Sequence, residues 1–400
     1  MTKSRIDSID LLRGLVIVLM GLDHVRDFFG PTRFRPEDLS EASAMLFLTR
    51  WVTHFCAPVF LFLAGLGAAL YLSRGHSKGE TARFLLTRGL FLVVLELAII
   101  NTSWLSYWNG YMFVQVIWAI GWSMVGLAGL LFLPRVAILV FSLVVVFGHN
   151  LLDYLPPEVV AGWGPAFSVL RGFQWIPAGD SFGVMVIYSV VPWVGVMSLG
   201  YLFGRHYELS FDERKKRLMT WGVVLSVLFV VLRAVNLYGD PAHWQANERG
   251  ILYTVLSFLN ATKYPASLAF ILMTLGPALL ALPYLEKVRG KLGGRAHLSQ
   301  MLVTFGRVPL FFYVVHIPLI HLLAMLYSKL RYGFVGVEAS GAGSLVGWYL
   351  QGQQYAPEGY VQNLWLVWGV WIAVTVALYW PCKRYAEFKK SSHRAIFSYL

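Results

Sequence analysis

Several histidines, carboxylates and arginines of this sequence stand inside apolar runs. There a low-dielectric surrounding penalises each ionisable group unless it has a partner, a wet cavity or a chemical task. The first run opens Ile9-Asp10-Leu11-Leu12-Arg13-Gly14, continues apolar, and closes Asp23-His24-Val25-Arg26-Asp27. Asp10 and Arg13 are three residues apart and can pair on a helix. The pair either neutralises itself and orients the helix, or leaves Arg13 to help hold an anionic group. Asp23 and Asp27 share one helical face, with His24 one position round. Imidazole titrates near neutral pH and a carboxylate can orient the ring, so His24 beside Asp23 or Asp27 is a candidate proton acceptor. The plainer reading is a histidine hydrogen-bonded across a helix interface.

His24 has company. His54 opens the second apolar run, and His316 and His321 lie late in the ninth, in Tyr313-Val314-Val315-His316-Ile317-Pro318-Leu319-Ile320-His321. Lys263 precedes the eighth. All are expected at a similar depth to His24, although His316 and His321 are about 140° apart on an ideal helix and need not share a site. Arg307 enters the ninth run from the opposite end, in Phe305-Gly306-Arg307-Val308-Pro309. Arg88 and Glu96 are two turns apart and are not obvious partners of each other. No histidine pair has the i, i+4 spacing of a helical zinc motif, so no metal is expected.

These residues need membrane helices to hold them. The chain is 57% hydrophobic and only 14% charged, with a mean hydropathy of +0.61, against about 25% charged residues in ordinary soluble domains. Its apolar residues fall in runs of about twenty, the length that crosses the hydrocarbon layer as helix. The reading is an all-α, polytopic helical bundle integral to the cytoplasmic membrane, forming a single domain over 1–400. Ten spans are expected, at 9–29, 53–73, 84–103, 111–133, 135–152, 184–204, 217–237, 265–285, 301–328 and 361–381. Pro309 and Pro318 predict a kink or break in the ninth. The short apolar segment 251–261 reads as a re-entrant or interfacial helix. The first run has no cleavable signal pattern and reads as a signal anchor.

With both termini cytoplasmic, the inner segments carry about twice as many Lys and Arg as the outer ones, as positive-inside topology requires. The same rule accounts for the net charge of +12 without a nucleic-acid partner. The cluster Arg214-Lys215-Lys216-Arg217 reads as a topology anchor on anionic lipid. The outer segments 30–52, 153–183, 238–264 and 329–360 are rich in aromatics and read as ordered caps. Two cysteines, Cys56 and Cys382, make neither a disulfide framework nor a cysteine metal site.

The run Asp10-Leu11-Leu12-Arg13-Gly14, with His24 eleven residues after the arginine, resembles the opening helix of acyltransferase-3 type membrane acyltransferases. A wider set resembles the DUF1624 family, relatives of the catalytic domain of heparan-alpha-glucosaminide N-acetyltransferase. That set includes Leu48-Thr49-Arg50-Trp51, Ala57-Pro58-Val59-Phe60, Val191-Pro192-Trp193-Val194-Gly195, and Phe258 through Pro265. It continues with Thr274 through Pro277, Phe305 through Pro309 with Tyr313 and His316, and Tyr379 through Cys382 on to Ser398-Tyr399-Leu400. The resemblance implies transfer of an acetyl or other acyl group from cytoplasmic acetyl-CoA (acyl-CoA), as donor substrate, to a sugar or glycan acceptor across the membrane.

On that reading Arg13 and Arg307 hold the nucleotide end of acyl-CoA, since guanidinium suits phosphate. His24 is the base, oriented by Asp23 or Asp27. His316 or Lys263 steadies the oxyanion or the acceptor, and His54, Lys263 and Arg26 meet the acceptor. Direct transfer and an acyl-histidine intermediate both remain open, as does homo-oligomer formation. The rival reading is a proton-coupled transporter or channel, because intramembrane His, Asp and Arg also mark such pathways. No inverted repeat supports it.

Overall fold

The computed structural model describes residues 6–30, 32, 34–292, 297–333 and 361–392, without side-chain placement at 109 and 288–292. Lys3, Arg5, Arg33, Arg295 and Arg394 of the charge count, the outer stretch beyond 333, and Ser398-Tyr399-Leu400 of the resemblance lie outside the described residues.

In chain order the elements are α1 (Asp7–Phe29), α2 (Ala44–Trp51) and, after a 3₁₀ turn Val52–Phe55, α3 (Cys56–Leu72). Next come α4 (Lys78–Leu95), a π-helical turn Glu96–Ile100, α5 (Asn101–Ser103), β1 (Tyr111–Val114), α6 (Val116–Leu130) and α7 (Arg135–Gly148). Then follow α8 (Pro157–Trp163), α9 (Pro165–Leu170), β2 (Gln174–Pro177), β3 (Gly183–Val186), α10 (Val191–Phe203), α11 (Phe211–Val235) and α12 (Ile251–Leu259). The last are α13 (Leu268–Leu292), α14 (His297–Arg307), α15 (Pro309–Tyr332) and α16 (Leu364–Ser391).

Among the described residues seven stretches are long and apolar enough to cross a membrane: Ala44–Leu72, Lys78–Ser103, Arg135–Tyr154, Phe211–Val235, Leu268–Lys287, Pro309–Tyr332 and Leu364–Ser391. The protein is a mostly helical, multi-pass membrane protein. The other three expected spans differ for identifiable reasons. Helix α1 has the length, with 23 residues, but Asp10, Arg13, Asp23, Arg26 and Asp27 interrupt its apolar character. Helices α6 and α10 have 15 and 13 residues, shorter than the roughly 20 that span as helix.

The purely helical expectation is corrected here as well. Residues 111–114 and 184–186, read as first turns of helices, lie in the strands Tyr111–Val114 and Gly183–Val186. They form a three-stranded sheet of order β1-β3-β2, with β1 and β3 parallel and β2 and β3 antiparallel. Short apolar runs do not distinguish strand from helix by periodicity alone, and Pro192 favours starting α10 only there, at its first turn. The ninth run is broken as expected. Val308 leaves the helical region (φ −132°, ψ 49°) and Pro309 begins a new helix. Segment 251–261 does hold a helix, α12. Its Leu256 packs on Leu39 and Phe47, while Ile251 and Leu252 stay exposed.

Helix α1 lies at the centre, against α3, α13, α14, α15 and α16. Val223, Val227 and Val230 of α11, and Trp365, Ile372 and Val376 of α16, face outward, as lipid-facing apolar side chains do. The crossing of α1 on α14 depends on two glycines. A Cβ on Gly14 would stand 1.9 Å from the Leu302 carbonyl oxygen, and one on Gly306 would stand 1.8 Å from that of Asp10. The α3–α10 contact uses Gly65 and Gly200 in the same manner. In the segment 153–183 the buried Arg171 donates to Asp153 (2.6 Å) and to the Ala266 carbonyl (2.8 Å).

Candidate active site

His24 on α1 and His316 on α15 meet. Nδ1 of His24 is 2.6 Å from Nε2 of His316, and the rings stack at 4.9 Å between centroids. The other ring nitrogen of His316, Nδ1, lies 2.6 Å from the Tyr313 carbonyl and 3.1 Å from that of Phe312, within its own helix. Carbonyl oxygens only accept, so His316 Nδ1 carries the hydrogen. The neutral ring then presents Nε2 as an acceptor, and His24 Nδ1–H donates to it. This leaves the lone pair of His24 on Nε2, where a base needs it. His316 is fully buried and His24 is partly exposed. Trp104 stands edge-on to His24 at 5.5 Å and Tyr313 at 6.4 Å.

Asp23 and Asp27 do not orient His24, contrary to the sequence expectation. Neither makes a hydrogen bond to its ring among the described residues. Nη1 of Arg50 reaches both Asp23 oxygens, at 2.6 and 2.7 Å. Nη2 of Arg26 reaches Asp23 at 2.9 Å and Asp27 at 2.5 Å. Charge-assisted bonds to guanidinium are stronger than a bond to neutral imidazole, so the arginines take the carboxylates. Lys263 joins the cluster 3.7 Å from Asp23. The Arg50 Nε donates to Glu37 at 2.6 Å. His54 is buried beside them, its Nε2 3.9 Å from Glu37, and both its ring nitrogens lack a hydrogen-bond partner among the described residues.

Glu37 sits in the loop between α1 and α2. Burial alone would raise its carboxyl, but the Arg50 guanidinium, with His54, holds it well below the ordinary carboxylate range. The loop is fixed from the opposite segment. Asn260 donates to the Glu37 carbonyl at 2.9 Å, and Arg249 to the carbonyls of Leu39 and Ala42 at 2.9 and 2.8 Å. Arg50 and Glu37 were not singled out as site residues in the sequence, though Arg50 stood in the Leu48-Thr49-Arg50-Trp51 stretch. His321 lies apart from His316, with its Nδ1 3.3 Å from the Ser103 carbonyl.

A cavity of about 540 Å³ opens on the other side of Tyr313. Arg13, Arg74, Arg88, Arg307, Lys389 and Lys390 line it, with no acidic side chain among its lining residues. Arg13 and Arg307 were expected at an anion site; the other four were missed because three separate elements bring them together, Arg74 after α3, Arg88 on α4 and both lysines on α16. Arg13 also donates to the Gly306 carbonyl at 3.1 Å, and Arg307 approaches Asp7 at 3.4 Å and Asp10 at 3.7 Å. Beyond the cations the walls are apolar. On α1 they run Arg13, Ile17, Met20, and the next residue along that face is His24. On α15 they run Pro309, Leu310, Tyr313, and the next turn carries His316. Two walls of the cavity therefore lead along their helices toward the histidine pair, and Tyr313 both lines the cavity and neighbours the rings of the pair. Among the described residues no three His, Cys, Asp or Glu side chains group in a way that would hold a metal ion.

Residues 5–235 match the family described as heparan-alpha-glucosaminide N-acetyltransferase, catalytic. The chain belongs to this family. No curated protein matches the sequence. The family match covers α1 through α11 and includes Arg13, Asp23, His24, Arg26, Asp27, Arg50 and His54. Lys263, Arg307 and His316 lie beyond it and reach the family's segment only through the fold. Family membership and the seven apolar stretches make this a multi-pass member of a membrane acetyltransferase family.

Proposed function

We propose that the protein transfers an acetyl, or other acyl, group from acyl-CoA on the cytoplasmic side to a sugar or glycan acceptor on the other side of the cytoplasmic membrane. The observation that carries this reading is the cavity. It has a cationic rim suited to phosphates, an apolar shaft suited to a pantetheine arm, and an inner end at Tyr313 beside His24. Arg13 and His24 are eleven residues apart on one helix, a rise of about 16 Å, which an extended pantetheine arm covers.

In this mechanism the acceptor hydroxyl or amine gives its proton to His24 Nε2 and attacks the thioester carbon. The C–S bond breaks, the electron pair leaves with sulfur, and the CoA thiolate takes the proton from His24. His316, anchored by the Phe312 and Tyr313 carbonyls, accepts the His24 Nδ1–H throughout and steadies the charged ring. No acyl-histidine is needed. Arg13 and Arg307 hold the nucleotide. Lys263, Arg26 and His54 face the acceptor, with Asp23 and Asp27 keeping that cluster neutral.

The topology that goes with this reading has both termini in the cytoplasm and one domain over 1–400. Helices α1, α6 and α10 complete ten crossings, supported by their packing among the apolar stretches. The test is label transfer from radiolabelled acetyl-CoA to candidate sugars by purified protein, beside His24→Ala. A loss of about 10²- to 10⁴-fold is expected for the variant. If the wild type neither binds nor consumes any acyl-CoA the proposal fails, and solute flux in liposomes becomes the next measurement.

A further inference from the structure

We infer that Tyr313 is a further catalytic residue, whose hydroxyl donates a hydrogen bond to the thioester oxygen as negative charge develops on it; the inference rests on the acyl-transfer reading above. Three observations converge on this side chain. It lines the cavity, on the α15 wall one turn before His316. Its ring lies 6.4 Å from His24 and 5.5 Å from His316, while its carbonyl anchors His316 Nδ1. It is 3% exposed, yet no described residue hydrogen-bonds its hydroxyl.

The composition of the cavity narrows the choice further. Apart from the six cations, the lining residues include only two side chains with a polar hydrogen, Tyr71 and Tyr313. Tyr71 is sandwiched between His76 and Phe84 in a ring stack, beside the cationic residues Arg74 and Arg88. Tyr313 is therefore the uncharged donor at the reacting end. A phenol held without a partner in an apolar wall is ready to bond an oxyanion without first breaking another bond, which is how such donors act most strongly.

The step balances. The acceptor's proton goes to His24 Nε2 as its oxygen or nitrogen bonds to the thioester carbon. The C=O pair moves to oxygen, where Tyr313 donates a hydrogen bond but keeps its proton. The pair returns, C–S breaks, and sulfur leaves with its electrons to be protonated by His24.

The test is Tyr313→Phe in the full-length protein, read as kcat, KM and equilibrium binding of acetyl-CoA. The expected result is a kcat loss of about 100-fold or more, with acetyl-CoA affinity within about twofold of wild type. Removing an oxygen that has no partner is not expected to unfold the chain, and retained acetyl-CoA binding verifies this. If that variant fails to fold, 3-fluorotyrosine at position 313 replaces it. That analogue keeps the ring and makes the hydroxyl a stronger donor, so kcat must then change while affinity holds. Unchanged kcat in either variant, or a change confined to affinity, overturns the inference and leaves Tyr313 as a wall. A wild type that does not use acetyl-CoA at all overturns the acyl-transfer reading, and this inference with it.

Discussion

Arg50 holds both carboxylate oxygens of Asp23 from a single nitrogen, at 2.6 and 2.7 Å. Both residues are buried, and the bond takes Asp23 away from His24. Asp23 is thus a stability residue first. Asp23→Asn leaves Arg26, Arg50 and Lys263 with one carboxylate fewer, and breaking a buried pair from one side costs about 3–5 kcal/mol. We expect a fall of several degrees in melting temperature. Protein that stays folded should bind acetyl-CoA as the wild type does and lose much less kcat than His24→Ala. A kcat loss equal to that of His24→Ala would show that Asp23 acts through the imidazole after all.

The α1–α14 crossing makes a second prediction. Gly14 and Gly306 each face a carbonyl oxygen of the other helix so closely that a methyl cannot fit without moving backbone. Gly14→Ala or Gly306→Ala should therefore destabilise by more than the 1–3 kcal/mol or so typical of core overpacking. Parting these helices also breaks the Arg13 bond to the Gly306 carbonyl, so acetyl-CoA KM should rise in whatever protein remains folded. Gly369 of α16 is the control, with nothing within 4 Å of an added Cβ. There alanine should be neutral or stabilising by up to about 1 kcal/mol. Equal effects at Gly14 and Gly369 in a thermal-shift series would refute the packing argument.

The cations of the cavity separate nucleotide binding from chemistry. Arg13→Gln, Arg88→Gln and Arg307→Gln should each raise acetyl-CoA KM several-fold, more at low salt than at high salt, and leave kcat nearly intact. Acetyl-pantetheine, which lacks the nucleotide, discriminates: its KM should not respond to these changes. A parallel rise for acetyl-CoA and acetyl-pantetheine would mean that the arginines shape the shaft and do not hold phosphate.

Much of this site was legible residue by residue and not as a set. His24, His316, Arg13 and Arg307 stood out because each is a polar group in an apolar run, which local sequence reveals. Their meeting was not legible, because His24 and His316 come together across 292 positions through the packing of α1 on α15. The role of Asp23 was misread for a related reason. Spacing on one helix puts it near His24, while Arg50, on a helix read as part of a loop, offers it the stronger partner. The spans at 111–133 and 184–204 were overextended because Tyr111–Val114 and Gly183–Val186 are apolar enough to continue a helix and only pair as strands once folded. The cationic rim was not legible as a set, since Arg74, Arg88 and Lys389 sit on three different helices or their ends.

Glu37 gives the remaining prediction, a dependence on pH. Burial would raise its carboxyl, yet Arg50 and His54 hold it well below the ordinary range. A carboxylate depressed by folding adds stability that is present above its unfolded value, about 4.3, and is lost as pH falls through the folded value. Glu37→Gln removes that contribution and leaves Arg50 with Asp23 alone. Melting temperatures of wild type and variant, measured from neutral pH downward, should differ most at neutral pH and converge below about pH 4. The convergence has a direction that tests the geometry. If Glu37 were instead held protonated by burial, the gap would appear only on acidification, and a gap that does not vary with pH would show that the Arg50 contact contributes shape and not charge.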